Sequence, residues 1–153
     1  INPCLQKSCS MKSDGIQAIQ TLHNLKIKIN CTLIFTPEQA TLAAKAGANY
    51  VSPFVGREDD YLREMARIKF EKSDYFPKDG FKKHEKILED NGLVSGVDLI
   101  RKIATNFKRS KIKTEVLAAS IRSQKQLREC ENAGADIATA GFKIIEKLTG
   151  LSL

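Results

Sequence analysis

Two arginines and a serine carry the first chemical signal in this sequence. Arg57 follows Val55-Gly56 at the C-terminal end of a short apolar run, and Ser120 and Arg122 stand where a later run turns toward a helical stretch. A helix N-terminus presents unpaired backbone N–H groups, so a hydroxyl and two guanidinium groups brought beside one make a good phosphate site. A second pair lies upstream. Asn30 and Thr32 are two apart in a β-rich segment, so their side chains share one face of a strand. Polar groups set in an otherwise apolar strand need partners there.

Elements able to position these residues recur along the chain. A short apolar run, a turn and a helical stretch repeat five times, the pattern of a parallel sheet. The first unit has a weak strand at 5–10 and a helix at 14–25, with Ile16, Ile19 and Leu22 on one face. The second is sharper: a β-rich run at 27–35, Thr36 as cap, Pro37 at the first helical position, and Gly47 as the stop. A third strand at 50–55 is followed by a charged insertion over 61–91, expected to hold a charged helix from about Asp60, a turn segment and a second charged stretch, and then by an amphipathic helix at 97–107. The fourth and fifth units pair strands at 114–119 and 135–139 with helices at 123–132 and 142–148. Strands this short and apolar are expected to be covered on both faces.

Composition narrows the class. With 153 residues, 42% hydrophobic and 28% charged, the chain reads as one globular domain rather than a disordered one. It has no run of about 18 apolar residues to span a bilayer. Its first residues, INPCLQKSCS, lack a secretory pattern, so a cytoplasmic location and no membrane partner are expected. Cys4, Cys9, Cys31 and Cys130 have no metal-ligand spacing, and His23 and His84 fall on a helix or in the insertion. No metal or other cofactor is expected, and the cysteines read as small buried residues. The net charge of +7 comes from basic residues interleaved with Glu85, Glu89 and Asp90. That mixture describes a solvated surface better than a nucleic-acid footprint.

Three strings then narrow the family: Asn-Cys-Thr-Leu-Ile-Phe-Thr at 30–36, Tyr-Val-Ser-Pro-Phe-Val-Gly-Arg at 50–57, and Leu-Ala-Ala-Ser-Ile-Arg at 117–122. A fourth, Ala-Gly-Ala-Asp-Ile-Ala-Thr at 133–139, looks like a last barrel strand. In order and spacing they resemble the transaldolase family, including its small fructose-6-phosphate-aldolase-like branch. The resemblance implies an α/β fold: a partial (β/α)₈ TIM barrel of about five units, corresponding to strands four to eight, as one domain over 1–153. Five strands cannot close a barrel that needs eight.

The same resemblance implies Schiff-base transfer of a dihydroxyacetone unit between sugar phosphates, as in the pentose phosphate pathway, or aldol cleavage of fructose 6-phosphate. It assigns the amine to the segment Lys7-Ser8-Cys9-Ser10-Met11-Lys12-Ser13-Asp14-Gly15. Counted back from Gly15 without gaps, the family's lysine position falls on Ser8; Lys7 takes the role if the loop before Asp14 absorbs one residue. Asn30 is then expected to hydrogen-bond the sugar or imine, Thr32 to position a water, and Phe54 to lie beside the substrate. Arg57, Ser120 and Arg122 are expected to hold the phosphate. A homo-oligomer is expected, with a sugar phosphate as the partner. The alternative is a noncatalytic relative that binds a phosphorylated ligand or a protein.

Overall fold

The computed structural model describes residues 6–10 and 13–150, and gives only the backbone of Gln6, Lys7 and Ser13. Strands β1 (Gln6–Ser10), β2 (Lys28–Ile34) and β3 (Tyr50–Pro53) alternate with helices α1 (Ser13–Asn24), α2 (Pro37–Ala46) and α3 (Val55–Met65). After a long connection come α4 (Gly96–Arg109), β6 (Glu115–Ile121), α5 (Gln124–Asn132), β7 (Ile137–Ala140) and α6 (Phe142–Thr149). The connection carries only two-residue strands, β4 (Lys82–Lys83) and β5 (Lys86–Ile87). The main sheet runs β1-β2-β3-β6-β7 with every pair parallel. This is the expected α/β architecture, five consecutive βα units of a TIM-barrel type.

Local chemistry explains the boundaries. Thr36 caps α2 by accepting from the Gln39 N–H at 3.1 Å, while the Gln39 side chain reaches back to the Phe35 N–H at 2.8 Å. One of the helix's orphan donors and the N–H just before the cap are satisfied this way, and Pro37 brings a φ suited to the first turn. Gly47 ends α2 with φ of 108°, a left-handed conformation open to glycine. The core lies between sheet and helices: Ile29, Cys31, Val51, Val116 and Ala118 meet Ile19, Ala40, Ala43, Leu99 and Ile103.

Two expectations are corrected. The sheet is not covered on both faces among the described residues: Asn30, Thr32 and Leu117 are half-buried on the face opposite the helices, and β7 is exposed along most of its length. The charged helix of the insertion does not begin near Asp60 either. Its helix is α3, which begins at Val55, directly after β3, and the remainder is irregular apart from the β4–β5 hairpin. Charge density reads as a solvated helix in sequence, but here the segment is held by specific ties. Arg63 is buried, donates to the Asp74 carbonyl at 2.8 Å, and stands 5.0 Å from the ring centres of both Phe70 and Phe76. Ser95 donates to the Lys78 carbonyl at 2.6 Å while capping α4.

Candidate active site at the C-terminal ends of the strands

Strand register sorts the polar residues onto one face. Ser8 pairs with Asn30, Ser10 with Thr32, and Thr32 with Ser52, while Cys9, Cys31 and Val51 occupy the alternate row that faces the helices. Asn30 Oδ1 accepts from the buried Ser52 hydroxyl at 2.8 Å, which orients the amide and leaves its NH₂ as a donor. The backbone of Lys7 pairs with Ile29, one residue from the Asn30 row. The Lys7 side chain lies outside the described residues.

Both β2 and β6 are interrupted near their C-terminal ends. The register shifts between Thr32 and Ile34 and again between Ala118 and Ile121. At these breaks Leu33 and Ser120 hold φ of 60° and 62°. A non-glycine residue there costs on the order of 1 kcal/mol, and bulges of this kind re-aim side chains at the rims of barrels.

The anion-binding candidates gather around the start of α3. No side chain caps this helix, and its first internal bond, from the Glu58 N–H to the Phe54 carbonyl at 3.0 Å, leaves the N–H groups of Gly56 and Arg57 ahead of it. Arg57 is exposed on that first turn with its guanidinium 5.2 Å from the Phe54 ring centre. The Phe54 ring in turn lies 6.2 Å from that of Phe35. From β6, the Ser120 carbonyl and the Arg122 side chain press on Gly56: a Cβ built there would stand 2.5 Å from Ser120 O and 2.7 Å from Arg122 Nε. Gly56 is therefore glycine for close approach, not for its φ. Phe54, Arg57, Ser120 and Arg122 thus converge on one helix start, while Asn30 and Thr32 occupy the adjoining sheet face.

Four further residues complete this region. Ser52 partners Asn30, and Asp60 receives both terminal nitrogens of Arg122 at 2.5 Å. Buried Asp59 accepts from the Gly96 N–H and the Gln126 side chain, each at 2.8 Å, and so ties together the starts of α3, α4 and α5. Gln126 also accepts from the Arg122 N–H at 2.8 Å. Asp60 has a signal in sequence: it lies one helical turn beyond Gly56, on the same face. Ser52 has the two-residue spacing from Tyr50 and Phe54 that places it on a common strand face, but nothing local marks it as buried.

Electrostatics divide the acids. Burial pushes the Asp59 carboxyl up to about 7; Gly96, Arg63 and Arg122 pull the other way, and Asp60 adds to the rise. Burial likewise raises Glu58 to about 7, and Asp90 and Asp59 reinforce it. Cys31 is raised to about 11 and Cys130 to about 12, in both cases mainly by burial. Thiols so protonated make poor nucleophiles and ligands. His23 and His84 are exposed.

Over residues 9–152 the chain matches the model of the transaldolase/fructose-6-phosphate aldolase family. It belongs to that family. A probable transaldolase of Bacteroides fragilis is 40% identical over 148 residues, covering 97% of this chain and 54% of the relative. A probable transaldolase of Caldicellulosiruptor saccharolyticus is 40% identical over 91% of this chain and 50% of its own length. Probable transaldolase 1 of Listeria monocytogenes is 38% identical over 97% and 55%. The chain spans about half the length of the curated relatives it matches. Within the transaldolase/fructose-6-phosphate aldolase family, then, it supplies five parallel βα units carrying the polar face of β2 and β3 and the guanidinium pair beside α3. Among the described residues, no helix is long and apolar enough to cross a membrane.

Proposed function

We propose that these five units form the substrate-binding part of a Schiff-base aldolase or transaldolase acting on sugar phosphates. One observation supports this most: an uncapped helix start carries Arg57 and lies against Arg122, next to a strand face bearing Asn30, Thr32 and Ser52. A helix N-terminus with two guanidiniums suits a phosphate. The adjoining amide and hydroxyls suit the carbonyl and hydroxyl end of a ketose.

In this reading the Lys7 amine adds to the ketose carbonyl and water leaves, which gives a protonated imine. Loss of the proton from the hydroxyl on the β carbon then breaks the bond between the α and β carbons. An aldehyde departs and the electron pair stays on the imine as an enamine. The enamine adds to an acceptor aldehyde, for dihydroxyacetone transfer, or takes up a proton, for cleavage; water finally hydrolyses the imine and frees the lysine. Only about one free lysine in two thousand is neutral at pH 7, so the nucleophile needs a setting that disfavours its charged form. Asn30 would hold the sugar or imine, Thr32 the water of proton transfer, and Phe54 would flank the chain. A cytoplasmic homo-oligomer serving the pentose phosphate pathway fits this assignment.

Borohydride reduction in the presence of fructose 6-phosphate, followed by peptide mapping, tests the proposal. An adduct on Lys7 is expected. Because Lys7 pairs with Ile29 and Ser8 takes the Asn30 row, the site of attachment matters as much as its occurrence. An adduct on no lysine would refute the covalent mechanism and leave a noncatalytic phosphate-binding relative.

A further inference from the structure

We infer that Asp60 is a positioning residue that aims Arg122 at the phosphate; the inference rests on the phosphate site proposed above. Asp60 Oδ1 and Oδ2 accept from Nη1 and Nη2 of Arg122, each at 2.5 Å. A guanidinium carries five N–H donors in a fixed planar arrangement, and this end-on grip uses one hydrogen from each terminal nitrogen. The second hydrogen of Nη1 points to the Lys72 carbonyl at 3.4 Å. Nε–H and the remaining Nη2–H lie on one edge of the plane and have no acceptor among the described residues. They form a second fork, and the Nε side of the group is the part that lies against Gly56 at the start of α3.

Three features make this grip more than a surface ion pair. The Arg122 and Asp60 side chains retain only 20% and 15% of their exposure, so water competes weakly for either. The Arg122 backbone is held by Gln126, which Asp59 holds in turn. Asp60 itself is steadied by Arg63 at 3.8 Å, a buried cation between two aromatic rings. The same helix therefore bears Arg57 directly and sets the aim of Arg122 through Asp60. Without the carboxylate, the guanidinium keeps its charge and loses its direction.

The test measures binding to the full-length protein of fructose 6-phosphate, of fructose, and of inorganic phosphate. For Asp60→Asn the preference for fructose 6-phosphate over fructose is expected to fall about tenfold, the loss of one well-aligned charge-assisted hydrogen bond. Affinity for inorganic phosphate should fall alongside it. Asp60→Glu, which keeps the carboxylate, should recover part of the preference and serves as the test if Asp60→Asn does not fold. In an Arg122→Ala background, Asp60→Asn should add no further loss, because its effect runs through Arg122. If Arg122→Ala leaves phosphate binding intact, the phosphate assignment itself fails. If Arg122→Ala abolishes binding while the Asp60 variants bind as wild type does, or if the two losses simply add, the positioning role is overturned.

Discussion

Glu58→Gln should stabilise this protein far more at pH 8 than at pH 5. Glu58 is only 3% exposed, and the charges that act on it are the acids Asp90 and Asp59. Burial and those neighbours raise its carboxyl from 4.5 in the unfolded chain to about 7 in the fold. Between those values the folded state holds a proton that the unfolded state has released. The stabilising contribution is therefore complete below about pH 4.5, declines as pH rises, and is gone above about pH 7. Linkage over that interval puts the loss between pH 5 and pH 8 at roughly 2 to 3 kcal/mol for this one group. A neutral glutamine keeps the shape without the titration. Equilibrium urea denaturation of both proteins at pH 5, 6, 7 and 8 reads the difference directly. The expected gap is about 1 kcal/mol at pH 5 and grows to about 3 kcal/mol in favour of the variant at pH 8. A gap that favours wild type at pH 8 would show that Glu58 is ionised and paired in the fold, and a gap that stays constant with pH would show that it titrates as in the unfolded chain; either outcome overturns the prediction.

Two further substitutions separate packing from function. Gly96→Ala should destabilise by more than about 2 kcal/mol, because its Cβ would stand 2.2 Å from the Val55 carbonyl where α3 and α4 begin; a lowered midpoint in thermal or urea unfolding checks this. Ser120→Gly should raise the unfolding free energy by up to about 1 kcal/mol through relief of the left-handed backbone, where Ser120 holds φ of 62°. The same variant should weaken fructose 6-phosphate binding if the hydroxyl contacts the phosphate, and calorimetry on the refolded protein reads both effects.

Much of this molecule was legible before folding, because some signals act within a few residues. Hydrophobic runs and helical spacing marked the five βα units, and Thr36, Pro37 and Gly47 bounded α2 as expected because capping works at a range of one turn. The strings at 50–57 and 117–122 carried the family and brought forward Phe54, Arg57, Ser120 and Arg122, which do meet at one helix start. What the sequence left open depends on distant partners. Charge patterning suggested a helical insertion, whereas Arg63, stacked between Phe70 and Phe76, pins an irregular one. Asp60 became part of the site only through Arg122, 62 residues away, and Ser52 only through Asn30, 22 residues away. The pairing of Ser8 rather than Lys7 with Asn30 is likewise a matter of register. A one-residue shift reverses every side chain on a strand, and neighbouring residues alone do not set it. Local sequence chooses helix or strand, but which donors and acceptors face one another is settled when separate strands and helices pack into a single core.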